Sequence, residues 1–452
     1  MANVLRIGNA QAFWGDDSTA AARLAAQVPE LDWLTLDYLA EVSMSILAKQ
    51  RERDPSAGYA RDFLEVVASL VPVWQGGRKL RVITNAGGLN PAACAQACID
   101  LLRQAGCRGV KVGIVSGDDV LDVLRTDPAN FQDFAAGAPL SAIADTLITA
   151  NAYLGAEPIA EAIAAGADLI ITGRVADPSL TVAPCVAHFG WSWSDYDRLA
   201  GATVAGHLIE CGTQVTGGIS TDWMGLPDPA DIGFPVAEVH ADGSCVITKP
   251  PNTGGRVAEQ TVKEQLLYEI GDPNNYLSPD VTVSFLSLRV VDEGDNRVRV
   301  SGATGRAPPQ TYKVSVTHRA GFRASGMLTI FGRDAVAKAQ RCGQIVLQRL
   351  RRAGCEPQRS WVECLGAGSV VPGVLPASCA GAVETVLRIT VADPSAKVVE
   401  RFTKELMPLI TSGPQGVTGY AEGRPAVREM FGYCATLIPR AMVRPQVLVL
   451  EA

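Results

Sequence analysis

Charge is sparse in this 452-residue chain, and none of it is concentrated: Asp, Glu, Lys and Arg make up 19% of the residues, and 47 acids outnumber 40 Lys and Arg for a net charge of −7. No helix read from the pattern carries a basic cluster. The counter-ion release that supplies most nucleic-acid affinity is therefore missing, and a nucleic-acid partner is not expected. Long apolar runs are missing too. None reaches the roughly 18 to 20 residues that a membrane span requires, and the N-terminal MANVLRIGNAQ has no basic region followed by an apolar one, so no membrane association and a cytoplasmic location are expected. Histidine is scarce: the four, at positions 188, 207, 240 and 318, form no ligand pattern. The eleven cysteines are scattered from Cys94 to Cys434, and their one close pair, Cys94 and Cys98, has helical spacing with no histidine nearby. That argues for reduced core thiols rather than a structural zinc or a disulfide frame. GxGxxG, a P-loop lysine and any repeat of fixed period are also absent, so neither a cofactor nor a metal is expected.

Apolar material and glycine are abundant, at 47% hydrophobic residues and 44 glycines, which suits a compact protein with many tight strand-to-helix turns. The length exceeds one ordinary core. The pattern predicts an α/β N-terminal domain over residues 1–275, built on a doubly wound, mostly parallel sheet, and an α+β domain over residues 276–452. In the first part, short runs rich in Ile, Leu and Val alternate with helical patterns: Asn3–Gly8, Trp33–Leu36, Leu80–Thr84, Val110–Val115, Thr146–Ala150 and Asp168–Thr172. Beyond Asn275 the pattern turns to alternation, as in half-buried antiparallel strands, interrupted by a long helix over 334–352 and another over 394–409.

Ligands of open α/β sheets sit beyond the carboxyl ends of the strands, where helix N-termini present unpaired N–H groups. Four such ends carry polar residues: Asn85, Gly87 and Gly88; Ser116, Asp118 and Asp119; Asn151, Tyr153 and Glu157; and Arg174 with Asp177. Taken singly, Asn151 and Asp177 are better read as turn and helix-cap residues. The densest set of reactive groups is in GHLIECGTQVTGG. A helix over Gly201–Gly212 places His207, Glu210 and Cys211 at i, i+3 and i+4 on one face. The imidazole and carboxylate could trade a proton there, and the thiol could serve as nucleophile or as a core hydrophobe. Thr253, Gly254 and Gly255 precede a helix and suit an anion, with Lys249, Arg256 or Lys263 adding charge. A long loop rich in Gly, Pro and Arg near the end places Arg424 and Tyr433 where they could reach back over the first site.

Together, GNAQAFWGDD, DYLAEVSMSILAKQRERDPSAGYARDF, TNAGGLNPAA, NAYLGAEPIAEAIAAGADLIITGRVADPSLTVAP, GHLIECGTQVTGG and TKPPNTGG with TVKEQLLYEI resemble the acyclic terpene utilisation AtuA-like family over nearly the whole chain. The resemblance implies bacterial catabolism of branched acyl-CoA compounds or related organic acids, with coenzyme A entering only as part of a substrate. Longer members of that family continue into a small ferredoxin-like domain, which implies that a separate small subunit supplies it here. A homo-oligomer is also expected. Lyase or hydratase chemistry is the leading expectation: Glu210 is the general acid or base, His207 its partner, Asp177 a neighbouring catalytic carboxylate, Arg174 the binder of a carboxylate or phosphate, and Asn85 an oxyanion donor. Two alternatives stand beside it, a thioester hydrolase or acyltransferase using Cys211 and a non-catalytic acyl-CoA-binding subunit.

Overall fold

A computed structural model describes residues 4–374, 381–419 and 423–452. The chain divides into two compact units, one running to Thr317 and resuming at Tyr433–Ala452, the other His318–Gly432. The contact pattern thus places the division well after the expected 275/276 boundary, and the C-terminal residues return to the first unit.

The strands of the first unit are β1 (Val4–Asn9), β2 (Trp33–Leu36), β3 (Arg81–Thr84), β4 (Lys111–Ser116), β5 (Leu147–Ala152), β6 (Leu169–Thr172), β7 (Val236–His240), β8 (Cys245–Thr248), β9 (Tyr276–Leu277), β10 (Thr282–Ser284), β11 (Arg289–Gly294), β12 (Arg297–Ser301) and β13 (Thr304–Arg306). Next come β14 (Thr311–Phe331), β15 (Arg359–Leu365), β16 (Glu384–Asp393), β17 (Val417–Thr418), β18 (Arg428–Pro439) and β19 (Gln446–Glu451). Ten of them form one sheet in the order β11-β12-β8-β7-β1-β2-β3-β6-β4-β19. Its centre, β1-β2-β3-β6-β4, is parallel. Helices cross over between these strands and cover both faces, so each strand is buried on both sides and reads as an unbroken apolar run.

Alternate side chains divide between the two faces: Trp33, Ile83 and Ile170 enter one apolar core, while Leu34, Val82, Leu169 and Ile171 enter the other. Both flanks are antiparallel, through β7, β8, β12 and β11 on one side and β19 on the other. The α/β character holds, but the sheet is mixed rather than mostly parallel, because hairpins and a returning C-terminus extend a parallel core. No helix among the described residues is long and apolar enough to cross a membrane.

Local pattern also misplaced one strand. The run expected at Thr146–Ala150 forms as β5, yet it pairs with β14 outside the main sheet. β6 already has β3 on one edge and β4 on the other, so it has no ladder left to offer β5. A hydroxyl contact between Thr149 and Thr317 (2.7 Å) and the bond from Tyr153 N to Lys313 O (2.9 Å) tie β5 and the residues after it to β14 instead.

In the second unit, β15, β16 and the latter part of β14 make an antiparallel sheet. Leu328, Ile330, Leu387 and Ile389 share a buried core there with Val346 and Leu350 of the helix Ala335–Arg352 and Phe402 of the helix Ala396–Leu406.

Candidate functional site

The site begins where β6 ends. Gly173 follows Thr172, and a Cβ at Gly173 would lie 2.3 Å from Asp118 Oδ1, so the chain passes Asp118 only as glycine. Asp118 is buried at the end of β4, and its Oδ2 accepts both Arg174 N (2.9 Å) and Asn151 Nδ2 (2.8 Å). One carboxylate therefore holds together the loop after β4, the end of β5 and the loop after β6. Burial pushes the Asp118 carboxyl up to about 6, although both hydrogen bonds favour its charged form.

Braced in this way, Arg174 is 2% exposed. Its guanidinium donates to Leu39 O (3.0 Å) and to Asp177 Oδ1 (2.8 Å), and it stacks on the Tyr153 ring, 4.1 Å from the centroid. Burial alone would weaken the charge of Arg174, but Asp177, Tyr153 and Asp37 more than compensate, and it stays a cation. Arg174 Nε has no protein partner.

The second half of the site comes from the helix Tyr196–Glu210, whose last turn carries His207 and Glu210. His207 is 2% exposed, and its two ring nitrogens meet different partners: Nε2 lies 2.9 Å from the main-chain oxygen of Gln265, and Nδ1 lies 3.0 Å from Glu210 Oε1. A carbonyl can only accept, so Nε2 carries a hydrogen, and a neutral imidazole then presents a bare Nδ1 to the carboxylate. The short contact between Nδ1 and Oε1 requires one proton between them. Burial would lower the imidazole pKa, but the hydrogen bond and charge of Glu210 raise it. The Glu210 carboxyl is raised by burial, against the lowering effect of His207. Both directions favour retention of the shared proton. Glu210 Oε2 has no protein partner.

These groups border one cavity of about 520 Å³, which is lined by Tyr153, Arg174, Asp177, His207 and Glu210 and, among others, by Tyr276, Tyr312, Lys313 and Tyr433. Its size is that of a small-molecule site. Among the described residues, no group of three or more His, Cys, Asp or Glu side chains could hold a metal ion.

The remaining sequence candidates lie elsewhere. Asn85 is buried, donating to Asp37 Oδ1 (2.7 Å) and accepting from Tyr38 N (2.7 Å), so it braces the loop after β2 and offers no oxyanion donor to the cavity. Gly87 and Gly88 serve packing rather than ligand approach: a Cβ at Gly87 would sit 2.5 Å from Thr172 O, and one at Gly88 2.3 Å from Leu47 Cδ1. Asn151 is the buried partner of Asp118 described above. Cys211 lies just past the helix end and does not line the cavity. Burial, with the Glu210 charge beside it, raises its thiol far above the usual range, which removes the thiolate a nucleophile needs. At Thr253, Gly254 and Gly255 the anion cradle is already occupied. Gly254 N donates to Asp231 O, Gly255 N to Pro227 O, and the Lys249 ammonium to Thr253 O (2.7 Å) and Oγ1 (3.1 Å).

Tyr433 reaches the cavity as expected, whereas Arg424 belongs to the second unit and lines a different hollow there. The sequence reading missed Glu41, Glu269, Tyr276, Tyr312 and Lys313. Glu41 opens a helix, and Glu269 has a positive φ of 62°, unusual for a side-chain-bearing residue and the one local signal among them. Tyr276, which packs against His207 and Phe285, stood at the expected domain boundary, and Lys313 looked like one exposed position of an alternating strand.

Comparison with curated proteins and with solved structures finds no match. The sequence model of the acyclic terpene utilisation family protein AtuA matches residues 5–449, nearly the whole chain, and the chain therefore belongs to that family.

Proposed function

We propose that this chain is a catabolic enzyme of the lyase or hydratase type acting on a branched acyl-CoA or related organic acid, with Glu210 exchanging the proton. The observation that carries the reading is the His207–Glu210 pair: one shared proton, an imidazole whose orientation is set by Gln265 O, and a carboxylate oxygen, Oε2, left without a protein partner at a cavity wall. Addition or removal of water needs a group that can give and take a proton at neutral pH, and a carboxyl with a raised pKa meets that need. Gln265 also donates its side-chain Nε2 to His207 O (3.0 Å), so its two bonds fix the ring that holds Glu210.

Arg174 donates to Asp177 and to Leu39 from the same terminal nitrogen, Nη1, and its Nε has no protein partner, so the guanidinium keeps donor capacity for a substrate oxygen. Phe134, Tyr276, Pro178, Pro279 and Leu437 line the same cavity and suit a branched hydrocarbon body. Membership in an acyclic terpene utilisation family supports a substrate of that kind.

The test is Glu210→Gln, which keeps the shape but cannot give up a proton. Turnover on a branched acyl substrate should fall by roughly 100-fold or more, the usual scale for loss of a general acid or base, while substrate affinity changes little. Full turnover in this variant would remove Glu210 from the reaction.

A further inference from the structure

The second unit holds a hollow of about 1020 Å³ whose lining, among the described residues, includes Arg323, Arg388, Arg424 and Arg428 but a single acid, Glu363. Glu363 is spent on Arg388, which it meets with two bonds of 2.7 Å. Arg323, Arg424 and Arg428 have no carboxylate within ion-pair distance among the described residues, and the charge of Arg424 reaches Glu400 only at longer range. Three guanidinium groups without a carboxylate partner among the described residues thus gather at one hollow of a chain whose net charge is −7. Like charges are brought together at a cost, and an anion relieves it.

The hollow also has an aromatic platform. Trp361 and Met327 are 45% and 49% exposed, large apolar side chains left open to solvent. The sheet register relates the two features. Trp361, Thr390 and Ser325 lie opposite one another on successive strands, as do Glu363, Arg388 and Met327 one pair of residues further on. Strands lie about 4.8 Å apart, so Trp361 and the Arg323–Ser325 strand are separated by roughly 10 Å, the span from a base to the phosphates of a nucleotide.

We propose that this hollow binds a nucleotide phosphate, with its base stacked on Trp361 and its phosphates held by Arg323, Arg424 and Arg428. The assignment is independent of the reaction proposed for the first unit.

Calorimetry with the full chain and three probes, ADP, adenosine 3′,5′-bisphosphate and pyrophosphate, tests it. At least one nucleotide should bind saturably and weaken with added salt. Trp361→Ala should weaken nucleotide binding by about tenfold while leaving pyrophosphate unaffected, since only a base can stack. The exposed pair Arg323→Gln with Arg428→Gln should weaken all three probes, with an unchanged melting curve showing that the fold persists. Preference for the bisphosphate would assign the site to the nucleotide end of a coenzyme A type carrier, and preference for ADP to a free nucleotide. The proposal is overturned if neither nucleotide binds saturably, if the double arginine variant binds as the parent does, or if an acidic protein occupies the face and nucleotides do not compete with it.

Discussion

Glu210 and His207 form a unit because each removes a cost the other would pay alone. A lone buried carboxylate would be protonated and a lone buried imidazole neutral; together they hold one proton at Nδ1 and Oε1. With the imidazole raised above its ordinary 6.5, the shared proton is retained at that pH and leaves as pH rises further. A pH–rate profile should therefore show an alkaline limb above pH 6.5 with one-proton slope, and that limb should vanish from the residual activity of Glu210→Gln. A flat profile through this range would mean that the pair does not act in the rate-limiting step. Cys211 makes the opposite prediction. With its thiol held neutral and outside the cavity lining, Cys211→Ser should keep activity within about threefold, and iodoacetamide labelling should not track inactivation.

Among the elements, the loop after β4, the end of β5 and the loop after β6 are joined by Asp118, and that joint has a measurable cost. The Asp118 carboxyl moves from 3.8 to about 6 on burial, so the folded state binds its proton more tightly than the unfolded chain. A raised folded pKa means that the contribution is fully present below 3.8 and is lost as pH rises through about 6. Asp118→Asn keeps an oxygen to accept from Asn151 and Arg174 but never ionises. Relative to the parent, it should gain about 1 kcal/mol between pH 5 and 7.5, read from urea denaturation at both pH values. An equal difference between variant and parent at the two pH values would show that Asp118 ionises alike in the folded and unfolded chains. Asp118 and Asn151 were visible in the sequence as polar residues at strand ends. That they face each other and not a ligand depends on where β5 pairs, which no local pattern specifies.

At the scale of the whole molecule, the last residues close the first sheet. β19 pairs with β4 along six positions, from Gln446 opposite Ser116 to Glu451 opposite Lys111, and covers what would otherwise be an open edge. Deleting residues 445–452 should expose that edge, strip Val447, Val449 and Leu450 from the cores they pack against, and sharply reduce the soluble, monodisperse fraction measured by size-exclusion chromatography. A truncated chain that melts and elutes like the parent would show the edge to be protected in another way.

The sequence by itself determined the parallel centre of the sheet, the helices on its two faces, the neighbourhood of His207 with Glu210 and of Arg174 with Asp177, and the family. All of these are local: short runs buried on both faces must be apolar throughout, and residues three apart on a helix or in one turn must meet. Only the tertiary structure decided that β5 leaves the main sheet for β14, that β19 returns to β4, that Tyr276, Tyr312 and Lys313 join the cavity, and that Asn85 and Cys211 do not. Each of those outcomes depends on which strand edge was still open and which carboxylate was already satisfied by residues far along the chain. Hydrogen-bond and packing competition between such distant segments leaves no periodicity in the residues themselves.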